Sequence, residues 1–432
     1  MSYNTDLELR NMMIYQVFVR NYSCEGTFDG TFKAVEKDLD RIKELGTDII
    51  YFLPIHPIGS IKRKGSLGSP YAIKDYRAIN PEYGTLDDFK QLVDSIHHKG
   101  MKCMIDIVYN HTSPDSVLAN EHPEWFYHKE DRSFGNRVGD WSDIIDLDYS
   151  NMGLWDYQIK TLEFWADIVD GFRCDVAPLV PIEFWIKARE AVNSKKPGFI
   201  WLAESVEPGF ITHLRGRGLT ALSDSELYRA FDICYDYDIY GKLTGYIEGK
   251  NTLNEYADAV NSQEYIYPAN YVKLRFLENH DQTRAAFLFP DPVSLRNMAA
   301  FSFFQKGIAF IYAGQEFGAT HLPTLFDHDT VNMFPENGND LTQLIKKLSY
   351  IKKDPVFTDS VYEVFTCPDD ILVAKHTSKL QKAIGIFSVK GKTSNVSVDL
   401  PDGIYKNMIT DEKIEVARGR VFTKGEPIII IC

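Results

Sequence analysis

Between residues 13 and 312 the chain alternates short β-type runs with helical runs, and no other feature limits its fold so tightly. The pattern predicts strands over 13–20, 48–53, 103–108, 171–175, 199–203, 230–234, 273–277 and 308–312. These runs are apolar and rich in β-branched and aromatic residues, as buried strands are. Helical spacing fills the intervals. Val35, Leu39, Ile42 and Leu45 recur every three or four residues within 32–45, and 86–98 opens on the capped start Thr85-Leu-Asp-Asp. The runs 154–169, 184–192, 253–260 and 295–304 read as helices too, and Gly46 and Gly100 sit where C-cap glycines belong. Each crossover is long enough for a parallel βαβ unit. Eight strands in this order predict an α/β fold, a (β/α)8 TIM barrel, over a doubly wound sheet.

The remaining segments depart from that rhythm. Residues 112–151 form a long polar stretch with Trp125-Phe126-Tyr127 and Trp141, read as a short inserted subdomain after strand three. Beyond residue 352 short strands follow one another without helices, at 361–365, 371–376, 383–389, 395–400 and 427–431. The predicted domains are therefore a catalytic barrel over 1–111 and 152–352, the insertion over 112–151, and a C-terminal all-β sandwich over 353–432. A formal net charge of −14 argues against nucleic-acid and anionic-membrane partners. No apolar window approaches a membrane span, and residues 1–12 lack the apolar run of a signal peptide. The six cysteines, at 24, 103, 174, 234, 367 and 432, form no C-x-x-C pair, so a reduced, cytoplasmic protein is expected. Oligomeric state is left open.

In such a barrel the reacting groups gather at the C-terminal ends of the strands. Strand three ends in Asp106-Ile-Val-Tyr-Asn110-His111, strand four in Arg173-Cys-Asp175, strand five in Ala203-Glu204, and strand seven runs into Glu278-Asn-His280-Asp281. Strand alternation puts Arg173 and Asp175 on one face, where a charged pair is costly unless paired or used. Taken singly, each residue has a structural reading: Asp106 as a brace for Arg173 or Asn110, His111 as a satisfied loop histidine. Together they make one polar mouth. No Ser or Cys sits in an elbow motif with a His partner, and no phosphate loop occurs. Metal-ligand residue types are present, without H-x-H or H-E-x-x-H spacing. Carboxylates on neighbouring strands suit glycoside hydrolysis, where one acts as nucleophile and the other as acid and then base.

Four blocks, Asp-Ile-Val-Tyr-Asn-His at 106–111, Gly-Phe-Arg-Cys-Asp-Val-Ala at 171–177, Trp-Leu-Ala-Glu at 201–204 and Glu-Asn-His-Asp at 278–281, carry a resemblance to the α-amylase family of glycoside hydrolases (family 13). The segments 69–76 and 145–148 add weaker likenesses. The resemblance implies an α-glucan or malto-oligosaccharide substrate and cleavage of α-1,4 bonds through a covalent glucosyl-enzyme. It implies Asp175 as nucleophile, kept ionised by Arg173, Glu204 as acid/base, and Asp281 as transition-state stabiliser. His111 and His280 would bind the same sugar and Tyr71 would stack on it. His280 can join Asp281 only if strand seven has ended before them. No cofactor is required. Asn110 matches a calcium-ligand position of the family, but one Asn is no site, and the sequence does not support calcium.

Departures from the family pattern leave an α-1,6-acting glucosidase or a transglycosylase as alternatives. Val176 is similar to the α-1,6 branch. Ala72 after Tyr71, where that branch carries an acid, favours an open, endo-type cleft. Pro178 and Leu179 replace a polar pair, which implies less polar subsites beyond the cut. All three acids are retained, which argues against a non-catalytic sugar-binding relative.

Overall fold

In the computed structural model, residues 3–24, 27–28, 30–139, 141–335 and 338–432 are described, with backbone alone for 24, 27 and 28. The first two residues of the 1–12 stretch and the side chain of Cys24 lie outside them. Eight parallel strands close into a barrel: β1 Met13–Val17, β2 Ile49–Phe52, β3 Lys102–Ile107, β4 Gly171–Cys174, β5 Ile200–Ala203, β6 Ile233–Tyr235, β7 Val272–Arg275 and β8 Ile308–Tyr312. Each pairs with its chain neighbours, and β1 closes on β8. All strand residues but Lys102 are buried, which explains why most of the runs are near-continuously apolar; β7, Val-Lys-Leu-Arg, is the exception, its buried Lys273 and Arg275 paired with Asp224, Asp238 and Asp236.

Four departures from the expected elements have local causes. The predicted helix over 32–45 breaks at Asp38 into Phe32–Lys37 and Leu39–Glu44; the Asp38 carboxylate there accepts from Arg41 and the Tyr22 hydroxyl. Strand six starts at Ile233 rather than 230, because the Ala230 and Phe231 amides still bond the Leu227 carbonyl of a short helix, Asp224–Leu227. Beyond β6, Tyr237–Ile247 is a helix the pattern did not reveal, and the next one runs on from Leu253 to Ile266. Strand seven ends at Arg275, two residues short of the expected end, so residues 278–281 are loop. That early end lets His280 and Asp281 meet.

After β3 the chain makes an insertion whose base is a two-residue ribbon, His111–Thr112 against Ile145–Asp146. After the last barrel helix, Thr342–Lys352, eight antiparallel strands form two four-stranded sheets. Ile371, Val373, Ile384 and Ile386 of one sheet pack against Val396 and Val421 of the other. Gly403–Lys406, Lys413–Ala417 and Arg420–Thr423 escaped the sequence reading because most of their residues are exposed and no apolar run marks them. The five cysteines with described side chains are free. Among the described residues no helix is long and apolar enough to cross a membrane.

His56, just past β2, is buried with its Nδ1 3.0 Å from the Ala78 carbonyl oxygen and its ring edge-on to Trp165. Burial pushes its pKa from 6.5 down to about 4. The folded state keeps it neutral while the unfolded chain protonates it. Its stabilisation is therefore complete above pH 6.5 and lost as pH falls toward 4, a change of up to about 3 kcal/mol. Denaturant titrations of the parent and His56→Gln should show a stability gap that narrows as pH falls through this window.

Candidate active site

Arg173 comes from β4 wholly buried, opposite Asp106 of β3 in the strand register. Its Nη1 donates to Asp106 Oδ1 and Oδ2 at 2.9 and 3.0 Å and to Asp175 Oδ1 at 2.9 Å. Its Nη2 lies 2.8 Å from Glu204 Oε1, an ion pair without good hydrogen-bond alignment. The guanidinium carbon also stands 5.8 and 5.4 Å from the ring centroids of Tyr71 and Tyr235. Asp175 and Glu204 follow directly after Cys174 and Ala203, which face each other across β4 and β5. Neighbouring strands lie about 4.8 Å apart, so the two carboxyls start close together.

One cation thus serves three carboxylates, so the charge of Arg173 is divided among Asp106, Asp175 and Glu204. Burial and the neighbouring Glu204 push Asp175 well above the usual carboxylate range, and Arg173 only partly opposes them. Glu204 is raised as well, by burial and Asp281, against Arg173 and the Val176 N–H. Val176 donates that N–H to Glu204 Oε2 at 2.7 Å from a left-handed backbone, φ 34°. A β-branched residue is costly there, and the strain sits beside the acid it positions.

Around this core runs a hydrogen-bond chain. The Gln16 side-chain amide lies 2.9 Å from His280 Nδ1, and His280 Nε2 lies 2.6 Å from Tyr71 Oη and 3.1 Å from Asp281 Oδ2. Tyr71 donates to Asp106 Oδ2 at 3.0 Å, and Tyr51 does so at 2.5 Å. The Tyr71 and His280 rings are stacked, 5.5 Å apart. Burial works to raise Asp281, but its side chain is 42 % exposed, and His280 with Arg173 holds it below the usual range. His111 lies near Trp141 with its ring held by the Asn110 amide, and burial pushes it down to about 4, so it is neutral at pH 7. Glu278 lies apart from this chain, fixed by Arg284 and the Ala285 N–H.

A cleft of about 330 Å³ joins Tyr71, His111, Asp175, Glu204 and Asp281. Arg173 and His280 lie beneath it, buried. Lys64, Trp141, Asp143 and Phe326 line the same cleft and were not singled out as site residues. Lys64 belongs to a Gly/Ser-rich loop that reads equally well as a solvated tip, and nothing in the sequence marks Phe326. Ala72 is buried and is not among the lining residues, so it gives no measure of room in the cleft. Leu179 turns to a separate cavity of about 310 Å³ with Asn110 and Arg137.

That second cavity holds the corner where the resemblance places a calcium ligand. Arg137 stands there among the acids, its Nη1 3.8 Å from Asp146 and its Nη2 3.8 Å from Asp148. It donates to the Leu147 carbonyl at 3.1 Å and lies 4.5 Å over the Tyr127 ring. Its backbone N–H donates to Asp146 at 2.7 Å. A hard cation needs six to eight oxygens; the Arg137 side chain takes the Leu147 carbonyl but hydrogen-bonds neither carboxylate, and Asp146 Oδ1 is buried without a hydrogen-bond partner. Among the described residues no three His, Cys, Asp or Glu gather to hold an ion. Arg137, a fixed cation 3.8 Å from both carboxylates, repels a second cation at this corner, which argues against calcium there.

Fold and site together define a (β/α)8 barrel with paired carboxylates at its mouth, the architecture of carboxylate glycosidases. The sequence model of the α-amylase catalytic domain matches residues 16–362, and that of the bacterial α-amylase C-terminal domain matches 364–430. The chain belongs to the α-amylase family. It is 51% identical to an α-amylase of Lactobacillus plantarum whose crystal structure superposes with a TM-score of 0.95, over 99% of this chain and 100% of that one. A noncanonic maltogenic α-amylase of Thermotoga neapolitana is 34% identical over 98% and 99% of the two chains, with a TM-score of 0.86. Among curated relatives, an α-amylase of Haloarcula japonica is 25% identical over 95% of this chain, which spans 61% of that protein. An α-1,4-glucan:maltose-1-phosphate maltosyltransferase of Myxococcus xanthus is 31% identical over 44% of this chain and 32% of its own length.

Thermal melts test the reading of the Arg137 corner. EDTA should leave the parent's melting temperature unchanged, while Arg137→Gln lowers stability by about 1–2 kcal/mol. A fall of several degrees on chelation would contradict it.

Proposed function

We propose that the protein hydrolyses α-1,4-glucosidic bonds of maltodextrin- or glycogen-like chains with retention of configuration. The observation that carries this reading is the pairing of Asp175 and Glu204 on one guanidinium at neighbouring strand ends, with Asp281 exposed in the same cleft. Retaining enzymes need their two carboxyls about 5–5.5 Å apart, and adjacent strands supply that spacing.

Glu204, protonated, gives its proton to the glycosidic oxygen as Asp175 attacks C1. The C1–O bond breaks, the reducing-end fragment leaves, and a β-linked glycosyl ester forms on Asp175. Glu204, now a carboxylate, takes a proton from water as that water attacks C1 and frees Asp175. Asp281 and His280 hold hydroxyls of the same sugar, and neutral His111 has an imidazole N–H to donate to another. Tyr71 offers its ring to the sugar face. Glu204 is the member that lacks a hydrogen bond from Arg173, which suits it to carry the proton while Asp175 keeps its contact to the guanidinium.

Transfer of the glycosyl group to another sugar in place of water is a second reading, favoured by the maltosyltransferases among the relatives. Product analysis on maltoheptaose separates the two, since transfer yields chains longer than the input.

Asp175→Asn and Glu204→Gln should each lower kcat by about 10²–10⁴-fold or more with the fold intact by circular dichroism. The parent's kcat/KM should be bell-shaped in pH, with its alkaline limb above the ordinary carboxyl value of 4.5, because burial raises Glu204. Activity falls as pH rises through that limb and the acid loses its proton. Near-parental activity in either variant would refute the assignment.

A further inference from the structure

We propose that the ion pair between Lys64 and Asp143 is a strap that completes a wall at the non-reducing end of the cleft, so that the enzyme clips short products from chain ends. This rests on the retaining-hydrolase reading above and adds where along a chain the cut falls.

The direction of the chain follows from the barrel order. β1 lies between β2 and β8, and β5 stands diametrically opposite. Glu204 leaves the end of β5, and the acid must stand on the side where the leaving fragment departs. In a 1,4-linked pyranose C1 and O4 are at opposite ends of the ring. The non-reducing continuation from O4 therefore runs away from β5, toward the loops that follow β2 and β8.

Those two loops are joined to each other above β1. The Leu67 and Gly68 amides donate to the Phe326 carbonyl at 3.0 and 3.2 Å, and Ser66 donates its N–H and hydroxyl to Asp327 at 2.8 and 2.6 Å. Arg20, buried just past β1, donates from one nitrogen to the carbonyls of Gly68 and Leu325 at 2.9 and 3.0 Å. Its other two nitrogens grip Glu82. The approach is close: a Cβ on Gly65, which has φ 63°, would lie 2.6 Å from Phe326 Cβ. At its base the β2 loop is tied to the segment after β3, where Ser60 donates to Asp115 at 2.7 Å.

What links the tip of this loop to the insertion is Lys64 Nζ, 2.8 Å from Asp143 Oδ1. Both residues line the cleft, as do Leu325 and Phe326 of the opposing loop. An ion pair with a part-exposed lysine adds little to stability. Its position between two loops across the path of the chain gives it a role in selecting where substrate stops.

The test is the product profile on long amylose at matched numbers of bonds cleaved, for the parent, Lys64→Ala, Asp143→Ala and the charge-swapped double variant Lys64→Asp/Asp143→Lys. The parent should release short products from the first turnovers while the iodine colour of the residual amylose persists. Each single variant should shift several-fold toward longer products and earlier loss of colour, and the swap should return toward the parent. Internal cutting by the parent from the outset, or profiles unchanged by the single variants, overturns the strap and leaves the hydrolase reading standing. No cleavage of amylose by the parent overturns both.

Discussion

A buried guanidinium shared by three carboxylates is the interaction on which the site depends. Arg173 reaches Asp106, Asp175 and Glu204 from the centre of the barrel, and none of the four could stay charged there alone. The charge balance is short by design of the strand order: one cation cannot neutralise three acids. The deficit appears as raised pKa values at Asp175 and Glu204, which is the condition that lets one carboxyl keep a proton beside another that has lost it. Asp106, pinned by Tyr51 and Tyr71 as well, fixes the orientation of the guanidinium and so the geometry of the pair.

The rest of the structure extends outward from that centre. Neighbouring parallel strands bring successive chain segments to one level, so the ends of β3, β4 and β5 deliver their acids side by side. The loops after β2, β3 and β8 then shape the space above. Early termination of β7 lets Asp281 reach the cleft with His280 buried beneath it, and the strained Val176 backbone aims its amide at Glu204. Where the family pattern suggests a metal, Arg137 supplies the positive charge from the chain itself.

Much of this was legible in the sequence, because parallel barrel strands are buried on both faces and announce themselves as apolar runs. The capping box of Leu86–His98 was readable for the same kind of reason: Thr85 and Asp88 satisfy each other's backbone amides locally. Long-range facts were not readable. That Arg173 divides itself among three acids depends on strand register, which no local pattern encodes. Lys64 is one of three cations in a loop that reads as a solvated tip as easily as a binding loop; only the fold brings Asp143, far away in the chain, beside it. The three exposed C-terminal strands lack an apolar run, since each buries only alternate or fewer side chains. The split at Asp38 turns on Tyr22 and Arg41, contacts that helical periodicity does not register.

The central claim is that Asp175 forms the covalent bond while Glu204 manages the proton. Mass spectrometry of Glu204→Gln after reaction with α-maltosyl fluoride tests it most directly, because a fluoride leaving group needs no acid while release of the adduct needs the missing base. The account predicts one added maltosyl mass, located by peptide digestion on the segment that carries Asp175. No adduct, or an adduct on the segment carrying Asp281 or Asp106, would contradict it.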